Sequence, residues 1–145
     1  MPGMKAAPKA CVSYLGIAVD TPEGLMVPIL RDVGARDQAD LRAGLDAMKQ
    51  DAKTRAIPPA EMRGATISLS NFGVLSVGKF AQLIVVPPQV AIIGAGRIDA
   101  KLVLKDGKPV AQKMLPLSLS LDHRVITGGE AARFLVALLA DLARP

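Results

Sequence analysis

The stretch "LSLSLDHRVITGGEAARFL", residues 117–135, decides the fold. Leu117, Leu119 and Leu121 alternate with Ser118 and Ser120, the period-two pattern of a strand with one apolar and one polar face. The alternation starts upstream, in "KMLPLSLSLD", where Leu115 precedes Pro116. "TGGE" then predicts a capping box, with Thr127 as N-cap and Glu130 as its N3 partner. The helix predicted from about Gly128 to Ala143 has Ala131, Leu135, Leu138 and Leu142 on its core face, flanked by Phe134 and Leu139. Between strand and helix stands His123, the only histidine of the chain. A side chain at a strand end can reach a cleft, yet a lone histidine, taken by itself, is more often structural.

Working outward, residues 1–10 read as a flexible tail and 11–145 as one domain. "CVSYLGIAVD", 11–20, reads as a buried strand, "TPEG" as a turn, and "LMVPIL", 25–30, as an edge or irregular strand because of Pro28. A helix capped by Asp37 places Leu41, Leu45, Met48 and Ala52 on one face. Arg42, Asp46, Lys49 and Lys53 fall on the other, and Pro58 and Pro59 are expected to stop it. "GATISLS", 64–70, predicts a strand, "FGVLSVG" a loop, and "KFAQLIV", 79–85, a short helix before Pro87. "VAIIGAGRI", 90–98, predicts a strand, and "KLVLKDGKPV" a hairpin turned at Asp106-Gly107. The class is α/β or α+β, mostly sheet with two substantial helices.

Composition narrows the function. Half of the 145 residues are hydrophobic, but no apolar run reaches the ~18 residues of a membrane span. The opening "MPGMKAAPKACVSYLG" lacks the apolar segment of a signal peptide. One Cys, Cys11, cannot form an internal disulfide, and with one His it cannot assemble a metal cluster. The net charge is +5, but the basic residues are scattered and only one Tyr and three Phe are present, which argues against nucleic-acid stacking.

Two glycine motifs invite misreading. Gly73 to Lys79 has the spacing of a phosphate-binding loop, but Phe80 stands where Mg²⁺ needs a Ser or Thr. Gly94-Ala-Gly96 begins a dinucleotide fingerprint, but position 99 is Asp and a hairpin follows instead of a helix. Gly94 and Gly96 are expected to allow close backbone packing instead.

The strand–turn–helix resembles the C-terminal signature of the acyltransferase component of 2-oxo acid dehydrogenase complexes, whose pattern is Asp-His-Arg, two residues, Asp-Gly, then a helix. "LGIAVDTPEGLMVPILRD" resembles that family's paired strands, and "EMRGATISLSNFGVLSVGKFAQLIVVPPQVAIIGAGRI" its Ser-Asn segment, Pro-Pro loop and following strand. The resemblance runs in order from about residue 15 to 144. Chloramphenicol acetyltransferases share the histidine logic, but "LSNFG" and "VPPQVAI" favour the dehydrogenase-complex group.

The resemblance implies a chloramphenicol acetyltransferase-like two-layer sandwich, a mixed sheet with helices on one face, incomplete at the N-terminus. It implies acyl transfer between dihydrolipoamide, carried on a separate domain or chain, and coenzyme A. It further implies a homotrimer, assembling into a cubic or dodecahedral core, with an inter-subunit channel as active site. The partners implied are the dehydrogenase and dihydrolipoamide dehydrogenase components, in the bacterial cytoplasm or the mitochondrial matrix. No metal, nucleic acid or membrane enters.

Carried residue by residue, the resemblance makes His123 the general base and Ser70 the oxyanion donor. Asp122, Arg124, Thr127 and Asn71 stand as supporting residues. From the residues alone Ser70 reads rather as a strand-end hydroxyl satisfying a turn, and Ser68, Ser118 and Ser120 as polar-face residues. Two departures stand out. Thr127 replaces the family's Asp, keeping the cap but losing a carboxylate. A cation left without it would cost several kcal/mol if buried. The N-terminal section of the family domain, with its share of the coenzyme A site, is not matched. A non-catalytic assembly subunit and a free-standing acetyltransferase for a small acceptor are the alternative readings.

Overall fold

The computed structural model describes residues 14–75 and 78–144, and the chain divides into two compact units, Met1–Thr66 and Ile67–Pro145. The expectations for the tail and for Cys11 lie outside the described residues. In the first unit, β1 (Leu15–Thr21) turns at Pro22-Glu23 into β2 (Gly24–Met26), with Thr21 opposite Gly24. The Thr21 hydroxyl closes the turn by donating to the Gly24 carbonyl at 2.7 Å. Pro28 splits the next strand, as its lack of an N–H requires. Its carbonyl still accepts from Ile17 N at 2.8 Å, and β3 (Ile29–Leu30) pairs back on Leu15 and Gly16.

Helix α1 (Gln38–Thr54) starts at the expected cap, the Asp37 carboxylate accepting from Asp40 N at 2.8 Å. It packs on β1 and β3, with Met48 and Ala52 buried. The prolines do not end it. Arg55, in the left-handed conformation at φ 56°, turns its N–H back to the carbonyls of Asp51 and Ala52. The helix is therefore closed by its own C-cap before Pro58 is reached.

The second unit contains β4 (Ile67–Asn71), β5 (Ala91–Ala95), β6 (Asp99–Lys105), β7 (Lys108–Met114) and β8 (Leu117–Leu121). Its central sheet is mixed, with β4 parallel and β8 antiparallel to β5. Strands β6 and β7 form the separate hairpin, turned at Asp106 and Gly107 with φ of 52° and 75°. Positive φ at both positions is what a two-residue hairpin turn needs, and Asp-Gly supplies it.

Register assigns the faces of the sheet. Ser68, Ile92 and Ser120 form one row, and Ser70, Gly94 and Ser118 the next, all on one side. Ile67, Leu69, Ala91, Ile93, Leu119 and Leu121 point to the other. Helix α2 (Gly128–Leu142) borders this apolar face, its Ala131 and Phe134 lining a groove with Ala91, Leu119 and Leu121. It starts at the predicted capping box, but none of its residues is buried, and Leu142, expected in the core, is exposed.

Residues 79–85 are not helical. They run extended, with Ala81, Leu83 and Val85 partly covered and Gln82, Ile84 and Val86 exposed. The reason lies across the sheet. The hydroxyl oxygens of Ser118 and Ser120 each accept a backbone N–H, from Ala81 and Leu83, both at 3.2 Å. A helix would have turned those donors inward on itself.

The glycines of the two misleading motifs meet in one place. A Cβ on Gly73 would overlap the Gly96 carbonyl, and one on Gly96 would overlap the Lys79 carbonyl. A Cβ on Gly94 would stand 2.6 Å from the Leu83 side chain and 2.8 Å from Phe72. Close backbone approach accounts for Gly73 and Gly96, side-chain packing for Gly94, and a positive φ of 119° for Gly78.

Candidate active site

The turn that carries His123 is built around Asp122. Its N–H donates to the Val90 carbonyl at 2.9 Å, prolonging the β5–β8 pairing by one residue. Its own carbonyl accepts from Val125 N and Ile126 N, both at 3.0 Å. Its carboxylate accepts from Arg124 three ways: the backbone N at 3.0 Å, Nε at 2.9 Å and an Nη at 2.7 Å. The forked contact with the Arg124 guanidinium, with the backbone bond second, holds the Asp122 carboxyl down to about 2. His123 stands exposed between these two residues.

Thr127 closes the turn on the helix side. Its N–H and its hydroxyl both donate to the Glu130 carboxylate at 2.8 Å, and Glu130 N donates back to the Thr127 hydroxyl at 3.3 Å. These bonds, the backbone one foremost, lower the Glu130 carboxyl below its ordinary range. His123 is thus held between a sheet-anchored aspartate and a capped helix start. Asp122, His123, Arg124 and Thr127 lie in this one turn, and the carboxylate partner of Arg124 is Asp122.

Ser70 and Asn71 lie elsewhere. Along β8, Ser118 is level with Ser70, and Asp122 comes four residues later at the other end. At ~3.3 Å per residue that is about 13 Å along the sheet, and two strand spacings add about 10 Å across it. The backbones of Ser70 and of the histidine turn are therefore roughly 16 Å apart. One chain does not bring His123 and Ser70 to the same reacting atom.

The four serines of this face are not equivalent. Ser68, 2 % exposed, donates to Gln89 Oε1 at 2.5 Å. Ser118 and Ser120 hold the extended segment. Ser70, half-buried, has no side-chain hydrogen bond among the described residues, and Asn71 beside it is exposed. Sequence reasoning missed the bonds made by Ser118, Ser120 and Gln89. The signal available was the alternation of Ala81, Leu83 and Val85, which suits an extended chain as well as a helix.

Among the described residues no three of His, Cys, Asp and Glu gather as metal ligands, and no helix is long and apolar enough to cross a membrane.

Comparison with known proteins adds the following. The family model "2-oxoacid dehydrogenases acyltransferase (catalytic domain)" matches residues 12–145. The dihydrolipoyllysine-residue acetyltransferase component of the pyruvate dehydrogenase complex of Pseudomonas aeruginosa is 40 % identical over 97 % of this chain and 26 % of its own length. The succinyltransferase component of the 2-oxoglutarate dehydrogenase complex of Azotobacter vinelandii is 38 % identical over 90 % of this chain and 33 % of its own. The dihydrolipoamide acetyltransferase of Azotobacter vinelandii superposes with a TM-score of 0.80 at 38 % identity, covering 92 % of this chain and 55 % of that one. In that enzyme a serine, a histidine and an asparagine four positions after the histidine have been investigated for their role in the catalytic mechanism. The cubic core of a pyruvate dehydrogenase complex superposes with a TM-score of 0.81, at 38 % identity over 95 % of this chain and 58 % of that one. The chain thus spans a quarter to a third of these curated relatives and a little over half of the solved chains. With its mixed sheet, two helices and histidine turn, the chain belongs to the 2-oxoacid dehydrogenase acyltransferase catalytic-domain family.

Proposed function

We propose that residues 11–145 are the C-terminal part of an acyltransferase domain that moves an acyl group between a lipoyl-lysine dihydrolipoamide and coenzyme A. His123 is the base and Ser70 the oxyanion donor. A thiol of pKa ~8.5 is mostly protonated at neutral pH, and its thiolate is the nucleophile. His123 takes the thiol proton as sulfur bonds to the thioester carbonyl carbon. The resulting oxyanion accepts a hydrogen bond from the Ser70 hydroxyl. Collapse breaks the old C–S bond, and the departing thiolate recovers the proton from the imidazolium. The base contributes about 10²–10⁴-fold and one oxyanion donor on the order of 3 kcal/mol.

The observation that carries this reading is that Ser70, of the four serines on this face, has no side-chain hydrogen bond among the described residues, in a chain whose one histidine is held on a hydrogen-bonded turn. Their separation within one chain supports a site shared by neighbouring copies, Ser70 from one and His123 from the next, in a trimer that builds a larger core. The dehydrogenase and dihydrolipoamide dehydrogenase components are the partners, in the bacterial cytoplasm or mitochondrial matrix. Thr127 stands four residues after His123, the spacing at which the investigated asparagine of the Azotobacter enzyme follows its histidine. Both side chains are neutral and hydrogen-bonding, so loss of the carboxylate does not by itself argue for an assembly-only subunit.

Acyl transfer from acetyl-CoA to free dihydrolipoamide tests the reading. His123→Ala and Ser70→Ala should each lower the rate about 10²-fold or more. Mixing the two variants under exchange should restore about one quarter of the wild-type rate, since one site in four then holds both intact groups. A wild-type rate equal to that of His123→Ala would refute the enzyme reading. No recovery on mixing would refute the shared site.

A further inference from the structure

Among the described residues Ser68 is the one buried polar residue, and its hydroxyl donates to Gln89 Oε1 at 2.5 Å. An apolar side chain would fill the same place, so a hydroxyl there has to be met by a partner, and Gln89 is that partner. Gln89 stands outside the strand ladder. Strand β5 begins two residues later at Ala91, and the Gln89 N–H closes a turn on the Val86 carbonyl at 3.0 Å. The next residue, Val90, gives its carbonyl to Asp122 N at 2.9 Å, and Asp122 is the residue around which the histidine turn is built. The bonds run in series. Ser68 holds Gln89, Gln89 leads directly into Val90, Val90 holds Asp122, and Asp122 precedes His123. His123 itself is exposed and makes no side-chain hydrogen bond among the described residues, so its place is set through its backbone.

We propose that Gln89, locked by the buried Ser68 hydroxyl, is a positioning residue for His123 and sets where the histidine turn leaves the sheet. The role rests on the reading above of His123 as the base. It acts on the geometry of proton transfer and not on the binding of either thiol. Misplacing a reacting group by about 1 Å can cost on the order of 10²-fold in rate. Loss of the Ser68–Gln89 bond is therefore felt in kcat and not in KM.

The chain has a single histidine, so isotope labelling of the imidazole gives one NMR signal that reports the position of the base directly. Gln89→Leu and Ser68→Ala should each shift that signal and speed amide exchange at Asp122. Each should also lower kcat about tenfold or more, with KM within about twofold of wild type. The double variant should lose no more than either single one, because both remove the same bond. Ser118→Ala breaks a bond of the same kind on the same face, to Ala81 N, and should leave the imidazole signal in place. Circular dichroism reports whether each variant folds, and Gln89, only half-buried, carries the test if Ser68→Ala does not. Wild-type turnover in His123→Ala would refute the reaction, and the catalytic role of Gln89 with it. With His123→Ala inactive, an imidazole signal unmoved in Gln89→Leu would overturn the positioning role alone, as would additive losses in the double variant.

Discussion

The two faces of the β4–β5–β8 sheet are covered in opposite ways. The serine face is closed by an extended segment whose N–H groups end on Ser118 and Ser120, and its glycines let backbones come close enough to touch. The apolar face has α2 beside it and still holds a groove of about 290 Å³. Hydrophobicity did not decide which face is better sealed. Directional bonds and the absence of side-chain volume closed the polar face, whereas apolar area without a matching partner left the other open.

That contrast can be broken most sharply at the backbone crossing. Gly96→Ala would force its Cβ into the Lys79 carbonyl, so a loss of roughly 3 kcal/mol is expected in urea unfolding. A near-neutral result would mean that the polar face is looser than described. Ser120→Ala leaves the Leu83 N–H without its acceptor, and about 2 kcal/mol should go, with faster amide exchange at Leu83. On the helix side the effects are smaller. Thr127→Ala removes the cap at a cost of about 1 kcal/mol, while Thr127→Asn keeps a capping side chain and should stay within a few tenths, read from the same unfolding curves.

The smallest effect is one of pH. Asp122 titrates lower in the folded chain than its ordinary 3.8, so its contact with Arg124 adds stability that is complete above that value. The contribution declines as pH falls and is gone below about 2. Acid unfolding followed by circular dichroism should show Asp122→Asn less stable than wild type at neutral pH. The two should converge toward pH 2, and a constant gap would deny the pairing.

The strand–turn–helix was legible because its parts are local. Alternating leucines define β8, and Thr127 with Glu130 defines the start of α2, with no information from elsewhere in the chain. Asp37 and the Asp106-Gly107 turn were legible for the same reason. The segment 79–85 was not. Its apolar residues suit either period, and the choice was made by two serines 37 residues away. The end of α1 was misassigned to Pro58 because Arg55 is not a residue whose identity announces a left-handed cap. At the site, the capping box that follows His123 could be read, but the fork between Asp122 and Arg124 was not foreseen. The distance of His123 from Ser70 could not be read either, because it depends on the antiparallel placement of β8 beside β5, a tertiary fact.

The opposite placement of Ser70 and His123 has a kinetic consequence. If a working site needs one group from each of two chains, specific activity is a function of protein concentration. Dilution below the dissociation constant of the copies should extinguish turnover with no loss of secondary structure. A newly made, solitary chain would then be chemically silent, and thioester would be spared until the assembly exists to use it.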